Sequence, residues 1–198
     1  MSVDLLWPRS QSDLDDEALL ALHDTGPGIR VNFVASLDGA ATLDGLSGGL
    51  GGPGDKRVFA LLRRLPDAVL VGAGTVRAEG YQGPLVSEDD AAWRVAHGRA
   101  AHPDLIVASS PLDVPGLLAS LQGRRVLCEG GPHWFGTLLA SDAVDELCLT
   151  VSPLLVGGSA SRITAGAPEV PRGMRLAHVL RARDELLLRY VRPNLPVE

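Results

Sequence analysis

Two glycine-bearing segments hold the residues best suited to chemistry. The first is VLVGAGTVRAEG at 69–80 and the second is VLCEGGPHWFG at 126–136. Each reads as a strand running into a helix. At such a junction glycine lets backbone approach a ligand, and free N–H groups in the helix's first turn attract anions. A phosphate there gains hydrogen bonds plus a dipole contribution of about 0.3–1 kcal/mol. Either turn alone is as readily structural. Two of them, both at strand carboxyl ends of a parallel sheet, point to a nucleotide, because ligands gather along that edge. Neither is a dinucleotide fingerprint, since the third glycine of G-x-G-x-x-G would fall at Arg77 in the first turn. No P-loop is present either, and the chain's only lysine is Lys56.

Three carboxylates stand beside these glycine features: Asp38, Glu79 and Glu129. Glu129 ends an apolar strand at the ligand edge. It either caps a neighbouring loop or accepts hydrogen bonds from a polar substrate. Asp38, just before Gly39, reads as a turn residue. Of the five histidines, only His133 lies in a glycine turn, where it could touch a ligand. His23 is expected to cap a helix C-terminus, His97 and His102 to lie in a polar loop, and His178 to face solvent from a strand. The one G-x-S-x-G match, at residues 45–49, lies within a glycine-dense loop and not between a strand and a helix, and S-x-x-K does not occur, which argues against the common serine hydrolases. Cys128 and Cys148 sit in apolar runs without a Cys or His at ligand spacing. They read as buried free thiols, with no metal site.

The 198 residues carry 23 Gly and 14 Pro, a formal charge of −6 and only 4% aromatics. An acidic chain poor in aromatics argues against nucleic acid and anionic membrane as partners. Acids stand near the N-terminus where a secretory signal would carry basic and apolar residues. A cytoplasmic location is therefore expected.

The elements that would position these residues can be read from period and punctuation. Residues 12–23 suggest an amphipathic helix with Ser12 as N-cap, in a helical N-terminal extension over 1–29. Residues 30–36 suggest a strand. Residues 37–54 form a long loop with seven glycines, and long loops in compact domains are usually functional. A helix over 53–65 would bury Val58, Leu61, Leu62 and Leu65. Strands follow at 67–71, 105–108 and 125–129, with short helices from Thr75, over 114–121 and around Phe135, Leu138 and Leu139. Residues 80–103 look irregular or weakly helical. Alternation then marks a strand around 147–151 and a hairpin from 174–180 and 186–191, turning near Asp184. The expected fold is α/β: a largely parallel sheet flanked by helices, with antiparallel strands at the C-terminal end. The main domain spans 30–193, followed by a tail at 194–198.

Several ordered segments resemble one family. They are ASLDGAAT at 35–42, Ser47, PDAVLVGAGTV at 66–76 and VLCEGGPHWFGTLLASDAVDELCLTVSPLLVGG at 126–158. Together they resemble the reductase domain of the bacterial riboflavin-biosynthesis deaminase/reductase, across roughly residues 30–192. The resemblance implies a dihydrofolate-reductase-like fold and an NADPH-dependent reductase. Its substrate would be 5-amino-6-(5-phosphoribosylamino)uracil, reduced to the ribityl product. By position, Ser47 and Arg63 would hold the substrate, with Arg63 on its phosphate, and Glu129 would accept from the pyrimidine. Thr75, Glu79 and Ser109 would contact the cofactor. Gly130, Gly131, Pro132, His133, Gly136 and Thr137 would cradle its pyrophosphate. The resemblance also implies a homodimer. It names no proton donor.

The chain departs from the family pattern in four places. It lacks the H-x-E and P-C-x-x-C signals of the zinc deaminase, which resembles the stand-alone reductase branch. Gly48-Gly49-Leu50 stand where a tryptophan is usual. Gly80-Tyr81-Gln82-Gly83-Pro84 replace an acid and a proline. Ser109 and Glu129 lie only 20 positions apart, where a further strand-helix unit is usual. Two alternatives follow: a dihydrofolate or pterin reductase-like activity, or a nucleotide-binding regulatory protein without turnover.

Overall fold

The computed structural model describes residues 1–81, 83–109 and 114–193. Gln82 and the tail at 194–198 lie outside the described residues. Five strands run parallel: β2 (Gly28–Ser36), β3 (Ala68–Gly72), β4 (Asp104–Ala108), β5 (Arg125–Cys128) and β6 (Glu146–Ser152). Three more are antiparallel: β1 (Asp4–Trp7), β7 (Arg175–Ala182) and β8 (Glu185–Val191). The sheet order is β1-β7-β8-β6-β2-β5-β3-β4, the mixed arrangement expected from the pattern.

Burial explains the strands. All five residues of β3, AVLVG, are buried, as a parallel strand covered on both faces requires. On one face Val69, Leu127 and Cys148 pack against α1 (Asp16–His23) and α2 (Pro53–Leu62). On the other, Leu70, Val126 and Cys128 join Leu121 of α5 (Val114–Leu121) and Phe135 and Leu138 of α6 (Pro132–Ala140). The stripe Val58, Leu61, Leu62 and Leu65 is buried as expected, although α2 ends at Leu62.

Four sequence expectations need correction. The first 29 residues are not only helical: β1 adds a strand antiparallel to β7, and Val3 and Leu5 are buried in the core. The N-cap of α1 is Asp15, whose carboxylate accepts from Ala18 N–H, not Ser12. Residues 80–103 contain a two-turn helix, α4 (Glu88–Ala96), capped by Ser87. Its Arg94 is fully buried and donates to the carbonyls of Arg64, Pro66 and Ala100. It thereby satisfies carbonyls just past α2 that no helix bond reaches.

The fourth correction is His178, which is buried rather than solvent-facing. It meets His23 edge to face, with ring centroids 4.7 Å apart. His23 also bonds the Leu19 carbonyl in the last turn of α1. Beneath them Glu146 bridges Arg30 at 2.9 Å and Arg189 at 3.0 Å.

Candidate active site

The carboxyl ends of β2, β3 and β5 open into a cavity of about 520 Å³, within the usual size of small-molecule sites. A second cavity, about 590 Å³, lies at the opposite end of the strands, between α1 and the starts of β2 and β5. Ligands of parallel sheets bind beyond the carboxyl ends, so the first cavity is the candidate.

Of the residues singled out in the sequence, Ser47, Arg63, Thr75, Glu79, Glu129, Gly130, Gly131 and Pro132 line this cavity. Ser109, His133, Gly136 and Thr137 do not. Ser109 is exposed after β4. Gly136 is a packing residue: a Cβ there would run into the Ala165 carbonyl. Thr137 donates its hydroxyl to the His133 carbonyl within α6.

At the centre, Arg63 donates from Nε and Nη2 to the two oxygens of Glu129, each at 2.6 Å. The Tyr81 hydroxyl donates to the same carboxylate at 2.8 Å. The Glu129 side chain has no solvent exposure. Arg63 lies over the Phe59 ring, its guanidinium carbon 4.5 Å from the centroid. Burial alone would lower the Arg63 pKa, but its bonds to Glu129 outweigh that and raise it. Burial pushes the Tyr81 hydroxyl well above its ordinary range, and the Glu129 charge adds to this. Arg63 and Glu129 were expected to hold substrate separately; here each is the other's main partner.

Glu79 and Ser47 are paired in the same way. Both the N–H and the hydroxyl of Ser47 donate to Glu79 Oε1, at 2.9 and 2.8 Å. This ties the glycine loop 37–54 to the end of α3 (Ala73–Glu79). Asp38 anchors the start of that loop. The Ser36 hydroxyl and the N–H groups of Gly157 and Val156 donate to its carboxylate and hold its pKa at about 2.

The two glycine turns differ in role. Gly72 leaves room for the Trp134 ring packed against it, and Trp134 Nε1 donates to the Ala108 carbonyl. The second turn is the better anion cradle. Gly130 and Gly131 have φ of +134° and +64°, a region that favours glycine. Gly131 is the N-cap of α6 without a capping side chain, and Pro132 opens the helix. The N–H groups of His133 and Trp134 have no protein acceptor among the described residues. A side chain at Gly131 would press on Thr75 Oγ1.

Asn32, Asp55 and Phe59 line the cavity without having been singled out from the sequence, and Tyr81, noted there only as a departure from the family pattern, lines it too. Asp55 sits in the first turn of α2, and Glu185 of β8 accepts N–H bonds from Gly52, Gly54 and Asp55. The glycines here have a spatial purpose. A Cβ at Gly51 would run into Asp55 Oδ2, and one at Gly52 or Gly54 into the Glu185 carboxylate. Lys56, the lone lysine, also lines the cavity, its ammonium without hydrogen bond or ion pair among the described residues. Those residues contain no group of three or more potential metal ligands. No helix among them is long and apolar enough to cross a membrane.

Comparison with known proteins bears on the fold and the family. The chain resembles dihydrofolate reductase from Enterococcus faecalis, solved with NADP(H) (TM-score 0.53, 15% identity, covering 84% of this chain and 97% of that one). A pyrimidine reductase-like protein from Corynebacterium diphtheriae superposes with a TM-score of 0.73 at 21% identity, covering 83% of this chain and 91% of that one. The expected dihydrofolate-reductase-like fold is thus present. The riboflavin biosynthesis protein RibD of Mycobacterium tuberculosis strain H37Rv is 27% identical over 171 residues, 75% of this chain and 49% of that protein. The chain therefore spans about half the length of the curated relatives it matches. The description "RibD C-terminal domain" fits residues 27–118 and 115–188, nearly the whole region that builds the cavity, and the chain belongs to that family.

Proposed function

We propose that this protein is an NADPH-dependent reductase of a small heterocyclic metabolite, with 5-amino-6-(5-phosphoribosylamino)uracil as substrate. The observation that carries this reading is the cavity itself. In a RibD C-terminal domain it places an anion cradle at Gly130-Gly131 beside a cluster of polar groups. The cradle suits a dinucleotide: two unspent N–H groups, no side chain in the way and a helix N-terminus behind them. The bound cofactor supplies a hydride from its nicotinamide ring.

The chain's residues bind, orient and exclude water. Arg63, fixed by Glu129 and stacked on Phe59, forms a rigid wall for the pyrimidine. Because Arg63 is committed to Glu129, the ammonium of Lys56 is the cation left to meet the substrate phosphate. The Ser47–Glu79 bond keeps the glycine loop close to the cavity. The test is NADPH oxidation followed at 340 nm with the ribosylaminopyrimidine and, separately, with dihydrofolate. Turnover of the first alone supports the reading. Turnover of dihydrofolate alone moves it to a pterin reductase, and tight NADPH binding without oxidation by either moves it to a regulatory protein.

We also propose a homodimer. β6 lies between β8 and β2 and offers no open edge for it. The exposed Leu37, Leu154, Leu155 and Leu186 gather near its carboxyl end and offer a self-complementary apolar contact. Light scattering should give a dimer mass, and Leu155→Asp a monomer.

A further inference from the structure

We propose that Asp55 is the acid that supplies the proton accompanying hydride transfer in this cavity. This rests on the reading of the cavity as a reductase site.

Three carboxylates line the cavity: Asp55, Glu79 and Glu129. Glu129 accepts from Arg63 on both oxygens and from Tyr81 on one. Both of its oxygens are thus engaged by donors. Glu79 is exposed and accepts twice from Ser47. Tyr81 has committed its proton to Glu129. Asp55 is placed differently. It stands against Asn32 and Thr150, over the β2–β6 part of the sheet, while the Gly130-Gly131 cradle lies over β5.

A fixed negative charge lies next to it. The Glu185 carboxylate is held by the N–H groups of Gly52 at 2.6 Å, Gly54 at 3.0 Å and Asp55 itself at 3.4 Å. Two carboxylates sharing one corner oppose each other's ionisation, and the one with fewer donors is the more easily protonated. Glu185 takes the backbone donors. Burial, reinforced by the Glu185 charge, raises the Asp55 pKa against the opposing Thr150 hydrogen bond and the neighbouring Lys56 charge. Gly51, with no Cβ, leaves space for the carboxyl group.

In the proposed step the bond between C1 of the ribosyl ring and its ring oxygen breaks. The bond's electron pair goes to the oxygen, which takes the proton from Asp55. The neighbouring nitrogen's lone pair forms a C=N bond to C1. Hydride from the reduced nicotinamide then adds to C1, and the C=N electrons return to nitrogen. C1 is reduced, the nicotinamide is oxidised, and the Asp55 carboxylate regains its proton from water.

The test compares the full-length protein with Asp55→Asn and Asp55→Glu. With 13C-labelled aspartate, the Asp55 carboxyl in the NADPH complex should titrate above the ordinary value of about 4. A titration at or below that value overturns the proposal, whatever the substrate. Asp55→Asn should bind NADPH within about twofold of the parent while losing at least ~100-fold in kcat, as removal of a general acid does. In the parent, kcat should fall as pH rises through the Asp55 pKa. That limb should be absent from the residual rate of Asp55→Asn and return in Asp55→Glu. An unchanged kcat and limb in Asp55→Asn would also overturn the proposal. If the parent reduces no ribosylaminopyrimidine at all, the reading of the reaction fails, and the carboxyl titration still decides whether Asp55 holds the proton.

Discussion

Arg63 and Glu129, 66 positions apart in the chain, form a two-bond ion pair with both contacts at 2.6 Å. The pair joins the end of α2 to the end of β5, and Tyr81 closes it from a third segment. Glu129→Gln should therefore destabilise the fold as well as alter the site. We expect a loss of about 2–3 kcal/mol, below the full cost of breaking a buried pair because the Arg63 side chain is 22% exposed. Arg63→Met should cost a similar amount, and the double variant clearly less than the sum. Urea denaturation of the four proteins measures this, and simple additivity would show that the two residues do not act as a pair.

The cradle at α6 can be tested without straining its glycines. Gly131→Asp would mix a positive-φ penalty and a clash with Thr75 into the result. His133 is exposed in the first turn of α6. His133→Glu places an acid where the helix dipole favours it, so Tm should hold or rise. The same charge should weaken NADPH binding about 10-fold, equal to about 1.4 kcal/mol. Calorimetry showing unchanged affinity would move the pyrophosphate elsewhere.

Lys56 should govern recognition of a phosphorylated substrate. Lys56→Met removes a charge-assisted contact worth about 1.5–3 kcal/mol, a rise in KM of roughly 10- to 100-fold. NADPH affinity and Tm should barely change. A KM that stays put for the phosphorylated substrate assigns the phosphate to another residue.

The buried histidines set an acid limit on stability. Burial, with Arg189 and Arg30 nearby, lowers the His178 pKa from 6.5 to about 3, against the opposing charge of Glu146. His23 is lowered well below 6.5 by burial, His178 and Arg30. In the unfolded chain both take up protons as pH falls below about 6.5, while the folded chain refuses them until far lower. Stability from this source is full above that pH and lost on acidification, by up to ~1.4 kcal/mol per pH unit per histidine. Glu146, held at about 2 because Arg30 and Arg189 outweigh its burial, adds a further loss only below its ordinary 4.5. Urea midpoints should fall between pH 7 and pH 5, and His178→Gln should flatten that slope. A midpoint independent of pH in this window contradicts the assignment.

Much of this architecture is written in local pattern. The α2 stripe, the all-apolar β3 and the alternation of β6 to β8 each follow from period alone, and so the sheet could be anticipated. β1 could not: four residues, DLLW, carry too little pattern, and their strand character comes from pairing with β7 about 175 positions away. His178 was misread because alternation tells inner from outer face only where one face meets solvent. α1 and α2 cover that face, and His23 meets the ring there. In the cavity, residue types were legible but partnerships were not. Glu129 and Arg63, or Ser47 and Glu79, are brought together by tertiary structure, which no spacing encodes. Asp55 left one local trace, an acid entering a helix from a loop dense in glycine. What those glycines make room for became visible only with Glu185 in place.

Cys128 and Cys148 lie on opposite faces of the sheet, one in each core cluster. Burial pushes the Cys128 thiol up to about 12 and the Cys148 thiol up to about 11, so neither reacts while its layer stays closed. The chain thereby carries two natural clocks of opening, one per layer. Alkylation of Cys148 reports separation of α1 and α2 from the sheet, and alkylation of Cys128 reports separation of α5 and α6. If NADPH slows modification of Cys128 more than that of Cys148, the ligand is braced against the α6 layer. Equal protection would mean that the two layers open together.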